Sequence, residues 1–227
     1  MKKGPIILSV GGSLLAPEGI DVDFIKKFKD LIVRHTENGE RFAIIAGGGK
    51  TARVYQEGAR AISKISAEDA DWVGIFGTKL NAQLLRAVFA PLAGKRIIDD
   101  PSAPIDFKEK VIIGAGYEPG WSSDMDAVLI AKNLGAKKLV NLSNIDYVYD
   151  KDPRKNPDAK KIEEISWRDF RKIIPEKWDP GLNSPFDPNA AKEAEKMGLE
   201  VAVMNGKNLE NLDAYLLGAS YQGTRIH

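Results

Sequence analysis

The sequence predicts an α/β fold, a three-layer αβα sandwich with a mainly parallel central sheet. Three observations point to it. Short apolar runs alternate with amphipathic stretches along the 227-residue chain. Glycines fall where several of the apolar runs end, at Gly11-Gly12, Gly47-Gly48-Gly49, and Gly114 with Gly116. No internal repeat or low-complexity tract breaks the alternation. Strands joined by crossover helices pack helices on both faces of one sheet, and this length can bury a sizeable core. We expect a single domain over residues 1–227.

The elements follow in order. Ile6 to Val10 is a short apolar run ending in Gly11-Gly12-Ser13, the pattern of a buried strand. A helix over 23–33 places Phe24, Ile25, Phe28, Leu31 and Ile32 on one face, and Asn38-Gly39 stops it. Phe42 to Ala46 reads as the next strand, followed by a helix opening at GGGKTAR. Over 79–92, Leu80, Leu84, Leu85, Val88 and Leu92 form another helical stripe. A strand over 110–113 ends in Gly114, a helix over 124–134 closes at Gly135, and a strand spans 138–142. Beyond Pro153 and Pro157, Ser166 with Asp169 three residues on opens a short helix, close to a capping box. The turn-rich stretch "WDPGLNSPFDP", 178–188, reads as an exposed loop. Asp187 then caps a helix over 189–197 with Pro188 at its first position. Gly198 ends that helix, and a last strand spans 201–204.

Composition narrows the function classes. With 33 basic and 32 acidic residues the net charge is +1, so no general nucleic-acid or acidic-membrane surface is indicated. The chain has no cysteine, which excludes a disulfide framework, a thiol nucleophile and a cysteine zinc site. The two histidines, His35 late in a surface helix and His227 at the last position, are poor members of a Ser-His-Asp triad. No apolar stretch approaches the roughly 20 residues of a membrane span. "MKKGPIILSVGGS" carries two lysines but only a short, glycine-broken apolar run, so it reads as a strand and not a signal peptide. We expect a cytoplasmic protein without nucleic-acid or membrane partners.

"IIAGGGKTARVYQ", 44–56, ends its glycines in Gly49-Lys50-Thr51, the tail of a Walker A loop. That loop needs a glycine where this chain has Ile44, so the Walker reading fails. What remains still suits an anion: glycines admit close backbone approach, and a helix start presents unpaired N–H groups. One glycine turn is only a turn. Several at successive strand ends describe one crevice lined with amides, where folds of this class bind ligands. Lys50 and Arg53, one helical turn apart, can face the same anion. A dinucleotide fingerprint is not met, because Gly114-x-Gly116 is followed by Pro119 where the third glycine belongs, with no acidic residue at the required distance.

In combination these motifs resemble the amino-acid kinase superfamily, and within it the archaeal type of uridylate (UMP) kinase. The resemblance covers nearly the whole chain. "VGGSLL" at 10–15 is similar to the first glycine loop. "GGGKTAR" at 47–53 is similar to GGGKxAR, and "GIFGTKLNAQLL" at 74–85 to G-I-x-x-T-R-x-N-A-x-L-L. "PGWSSDMDAVLIAK" at 119–132 is similar to P-G-x-T-T-D-A. "LSNIDYVYDKDPRKNPDAKKI" at 142–162 is similar to T-N-V-D-G-V-Y-x-x-D-P-x-x-x-P-x-A, and "GTRI" to the usual close. GGGKTAR and the 142–162 element are the most specific.

The resemblance implies transfer of the γ-phosphoryl of Mg-ATP to UMP, with Mg²⁺ arriving on ATP and no dedicated protein metal site. It implies an acceptor lobe over about 1–115, an ATP lobe over about 116–227, and a homo-oligomer, dimeric or hexameric. Ser9, Gly11, Gly12, Ser13, Gly49, Arg53, Ser143, Asn144, Tyr149 and Asp152 are then expected on the ATP side. Gly48, Asp71, Thr78, Asn81, Gly116, Gly120, Ser122 and Ser123 are expected on the UMP side, and Lys50, Arg53 and Asp124 in catalysis. Amides at Gly11, Gly12 and Gly49 hold phosphates without adding charge, and Asp71 can accept from both ribose hydroxyls. Asp124 doubles as a helix N-cap. The chain departs from the family at Ser9, where many members have lysine, at Lys79, where arginine is common, and at Met125-Asp126, where small apolar residues are usual. Other acceptors of the superfamily (amino acids, carbamate, isopentenyl phosphate) and a non-catalytic nucleotide-binding role are the alternatives.

Overall fold

The computed structural model describes residues 4–177 and 184–227. The chain runs β1 (Ile6–Val10), α1 (Gly12–Leu15), α2 (Val22–Glu37), β2 (Phe42–Ala46), α3 (Gly49–Ile62), α4 (Ala67–Val88), β3 (Val111–Gly114), α5 (Ser123–Asn133) and β4 (Lys138–Ser143). It continues through β5 (Val148–Tyr149), β6 (Lys161–Ile162), β7 (Glu164–Ile165), α6 (Trp167–Ile173), α7 (Pro188–Met197), β8 (Glu200–Asn205), α8 (Leu209–Leu216) and β9 (Thr224–Ile226). Seven strands form one sheet in the order β3-β2-β1-β4-β8-β9-β7, while β5 and β6 make a separate antiparallel pair. The first five strands of that order are parallel; β9 runs antiparallel to β8.

Alternation along each buried strand builds the two outer layers, because successive side chains point to opposite faces. Leu8, Val10, Phe42, Ile44, Val140 and Leu142 pack with α2, α4 and α8. Their neighbours Ile7, Ala43, Ile45, Leu139 and Val201 pack with α5, α6 and α7. The three-layer expectation is met.

Local chemistry sets the helix ends. Asp21 caps α2 by accepting from Phe24 N, so α2 begins one residue before the predicted start and runs four past the predicted end. Ser66 and Asp69 form a reciprocal capping box that opens α4. This helix starts twelve residues before the predicted stripe, because its earlier buried positions, Ala70, Ile75 and Gly77, include small residues that add little to an apolar period. Leu92 lies beyond its end, and Leu80 is exposed. Asp187 accepts from Ala190 N with Pro188 at the first position, and Gly198 closes α7 in the left-handed region, as the sequence predicts.

Four expectations are corrected. The sequence reading passed over α1, α8, β9 and the two-residue strands, which are too short or too polar to show a period. Of the stretch 178–188, residues 178–183 lie outside the described residues. Phe186 and Asp187 are buried, so that part is no exposed loop. His35 is buried on the inner side of α2, with Nδ1 2.7 Å from Glu40 Oε2 and Nε2 2.7 Å from Asp213 Oδ1, where it ties α2 to α8. Asp124 is not a helix cap: Ser122 caps α5 by accepting from Met125 N.

Candidate active site

The chain fills one side of the sheet with β1, β2 and β3 and then crosses to β4 and β8 on the other. The connections therefore diverge between β1 and β4, and the crevice outside their C-terminal ends is the expected ligand site of such a sheet. Gly11-Gly12-Ser13 leaves β1 there, Ser143-Asn144 leaves β4, and Gly47-Gly48-Gly49 leaves β2 alongside.

The two glycine turns touch backbone to backbone. A Cβ on Gly12 would lie 2.2 Å from Gly49 N, and one on Gly49 2.2 Å from Gly12 C. Gly49 also has φ +56, where an L side chain is strained. Glycine is thus demanded twice over at this contact. The backbone N–H groups of Gly12, Ser13 and Gly49 have no backbone acceptor among the described residues. They form an amide cradle suited to an anion. Gly11 is different: its N–H donates to Leu142 O at 2.9 Å, which fixes the turn and removes this amide from the expected phosphate donors.

Lys50 and Arg53 follow on the first turns of α3. Lys50 Nζ pairs with Glu18 Oε2 at 2.7 Å, but both groups are well exposed. Arg53 is exposed and makes no ion pair among the described residues. The Thr51 hydroxyl is 3.4 Å from Asn81 Oδ1 and points into the α3–α4 contact.

Three residues expected at the acceptor hold loops in place. Asn81 is buried, and its Nδ2 donates to Gly47 O at 2.8 Å and Gly48 O at 3.1 Å. Thr78 Oγ1 accepts from Gly116 N at 2.8 Å while donating to Ile75 O. Asp71 Oδ2 accepts from Gly120 N at 2.9 Å, and its Oδ1 makes no hydrogen bond among the described residues. The amides of Gly116 and Gly120 are consequently taken. Helix α4 thereby fixes both the β2 turn and the β3–α5 loop. Gly48 packs against Ala52, with 2.6 Å between an added Cβ and the Ala52 Cβ.

The floor of the crevice is acidic. Asp124 Oδ1 accepts from Ser9 Oγ at 3.1 Å and Asn141 Nδ2 at 3.3 Å, and its Oδ2 accepts from Asp187 N at 3.3 Å. Burial and the Asp187 carboxylate push its pKa up to about 7, against the opposing Ser9 hydrogen bond. Ser9 is buried and donates its hydroxyl to Asp124, which positions that carboxylate. Asp126 is fully buried with neither oxygen in full hydrogen-bond geometry, although the Tyr117 N–H approaches it. Burial raises its pKa well above the usual carboxylate range. Asp187 is raised too, again chiefly by burial. Ser122 and Ser123 open α5 beside this group. The sequence reading gave no site role to Asn141, Asp126 or Asp187. A polar residue inside the apolar run 139–142 was the available signal for Asn141.

On the far side, Ser143 ends β4 and Asn144 follows it, with 3.5 Å between their polar atoms. Tyr149 is half-buried on β5. Asp152 accepts from Arg154 N and pairs with the Arg154 guanidinium at 3.1 Å, and these contacts hold its carboxyl below the usual range. Among the described residues, no three His, Asp or Glu side chains gather in a way that could hold a metal ion.

The chain matches the model of the amino acid kinase family over residues 4–102 and 107–205. The uridylate kinase of Pyrococcus abyssi is 36% identical to it, with 97% of this chain and 98% of that one covered. The uridylate kinase of Methanococcus aeolicus is 32% identical, with 98% and 99% covered. The crystal structure of uridylate kinase from Archaeoglobus fulgidus superimposes with a TM-score of 0.84 at 30% identity, covering 98% of this chain and 100% of that one.

Proposed function

The chain belongs to the amino acid kinase family, and on that premise we propose that it is a phosphotransferase that moves the γ-phosphoryl of ATP to UMP, yielding ADP and UDP. One observation carries this reading: two interlocked glycine turns with unfilled amides stand at the switch point of a chain similar end to end to uridylate kinases.

Phosphoryl transfer asks a protein mainly to align two phosphates and to neutralise their charge. The amides of Gly12, Ser13 and Gly49 hold the phosphates of ATP. Lys50 exchanges Glu18 for phosphate at little cost, since an exposed ion pair is worth about 0–1 kcal/mol. Arg53 presents a free guanidinium fork to the group in transfer. Mg²⁺ comes in on ATP and supplies further charge neutralisation; a cation that keeps its waters and leans on phosphates needs no protein cage. Ser122 and Ser123 offer hydroxyls near the transferred group. Asp124 organises Ser9, Asn141 and the Asp187 backbone beneath it.

The acceptor lies on the side of residues 1–115 and ATP on the side of 116–227. Asp71 Oδ1 takes the acceptor ribose, while Ser143, Asn144, Tyr149 and Asp152 border the adenosine. Thr78, Asn81, Gly116 and Gly120 act on UMP through the loops they fix. Trp72, Phe76 and Leu80 form an exposed apolar stripe along α4, and Tyr55 and Ile62 of α3 are exposed as well. That stripe supports a homo-oligomer, dimeric or hexameric.

The test is ADP release from Mg-ATP with UMP, CMP, dUMP, AMP, glutamate derivatives, carbamate and isopentenyl phosphate as acceptors. UMP should outpace AMP and every acceptor without a base. Release with another acceptor, and none above background with UMP, would overturn the assignment.

A further inference from the structure

Ile6, Lys138 and Glu200 are the first residues of the parallel strands β1, β4 and β8, so they stand at the end of the sheet opposite the glycine turns. At about 3.3 Å per residue, strands of this length put roughly 15 Å between the two ends. A cavity of about 700 Å³ opens there, lined by these three residues, by the end of α8 and by Tyr221 and Arg225. That volume falls within the roughly 300–1,000 Å³ of small-molecule pockets. No residue assigned above to ATP, UMP or catalysis lines it.

The wall of this cavity is mainly apolar. Leu216 is buried, and the rings of Tyr215 and Tyr221 meet edge to face with 4.9 Å between centroids. The Tyr215 hydroxyl is shut off from water and has no hydrogen-bond partner among the described residues. Burial raises its pKa, so it stays protonated and the wall carries an idle donor. Both carboxylates at the cavity are engaged. Glu40 Oε2 lies 2.7 Å from His35 Nδ1, while Glu200 pairs with Lys138 at 3.4 Å and with Arg225 at 2.8 Å. Arg225 also pairs with Glu164 at 2.8 Å. Of the cations that line the cavity, Lys137 is the one that makes no ion pair among the described residues, and it is exposed. The unneutralised charge is therefore positive and single. An apolar wall with a few polar points at its edge is the usual make-up of a small-molecule site. One unpaired cation suits one negative charge and not the serial charges of a polyphosphate.

We propose that this cavity binds a small monoanion with an aromatic body, its rings against Tyr215, Leu216 and Tyr221 and its charge at Lys137. The site is separate from the crevice and does not depend on which acceptor the enzyme uses.

Two fluorescent probes isolate the two halves of the claim. 8-Anilinonaphthalene-1-sulfonate has an aromatic body and one negative charge, and N-phenyl-1-naphthylamine is the same body without the charge. Each is titrated into the full-length protein with UMP and a non-hydrolysable ATP analogue present, so that the crevice is occupied. Melting temperatures of the variants serve as a folding control. The wild type should bind the sulfonate saturably. Lys137→Glu should weaken the sulfonate about three- to tenfold and leave the neutral probe within about twofold, because an exposed charge contact is modest and its reversal adds repulsion. Lys27→Glu, at an exposed position on α2, makes the same change of net charge and should alter neither probe. Ala219→Trp, at an exposed position on the rim, should fill the cavity and weaken both. Added salt should weaken the sulfonate more than the neutral probe. Binding that survives Ala219→Trp places the probes on another surface, such as the α4 stripe, and overturns the proposal. Equal responses to Lys137→Glu and Lys27→Glu overturn it too. So does the lack of a saturable site, the result expected if a second copy covers the cavity in the assembled protein.

Discussion

Replacing Gly49 by alanine tests the interlocked glycine turns directly. The new Cβ would stand 2.2 Å from Gly12 C, 2.4 Å from Gly12 O and 2.6 Å from Ser13 N. Ordinary contact begins at 3.4 Å, and all three atoms are backbone, so no side chain can swing aside. The turns must therefore separate by about 1 Å, which is the scale of misplacement that can lower a rate about a hundredfold. The positive φ of Gly49 adds about 1–2 kcal/mol of strain for an L residue. We expect Gly49→Ala to lower kcat/KM at least about a hundredfold and to lower Tm by several degrees. Coupled ADP release and thermal unfolding measure the two effects. Gly58→Ala on the same helix is the control, because nothing lies within 4 Å of its added Cβ. Exchange of a mid-helix glycine for alanine should raise stability by about 0.5–1 kcal/mol and leave turnover unchanged. If Gly49→Ala keeps wild-type kcat/KM and Tm, the contact between the turns does not shape the site and the cradle argument fails.

Arg53→Ala should lower kcat about a hundredfold or more, as loss of one transition-state donor does, while Thr51→Ala stays within about threefold. The reverse order in steady-state kinetics would restore the Walker reading of 44–56. Asp152→Ala and Tyr149→Ala should each raise the KM for ATP about tenfold or more with little change for UMP, because both lie on the ATP side; a change confined to UMP would reverse the sides. Asp124 and Asp126 have raised folded-state pKa values, so between about pH 4 and the folded values the native chain holds more protons than the unfolded one. Their contribution is greatest at low pH and is lost as pH rises through the window, which for Asp124 closes near 7. Asp126→Asn should therefore raise Tm at pH 8 and change it little at pH 4. A Tm difference that does not vary with pH would mean that Asp126 is not held protonated.

The sequence by itself determined the α/β class, the order of its longer strands and helices, and the glycine turns that close β1 and β2. Apolar period and turn chemistry are local, so Phe42 to Ala46, the buried face of α2 and the Asp187-Pro188 cap were all legible. It also showed that 44–51 departs from the Walker A pattern, since Ile44 stands where that pattern needs glycine. The beginning of α4 was hidden because its first three turns expose the large Trp72 and Phe76 while burying the small Ala70 and Gly77. What each polar residue of the site touches was decided only by tertiary contact. Thr78 and Asn81 reach loops that lie 38 and 34 residues away in sequence, and Ser9 meets Asp124 across 115. Gly11 and Gly12 are indistinguishable in the sequence. Packing turned one amide toward Leu142 and left the other open to the crevice. The charge state of Asp124 and Asp126 was likewise beyond the sequence, because desolvation depends on what surrounds a carboxyl and not on its neighbours along the chain.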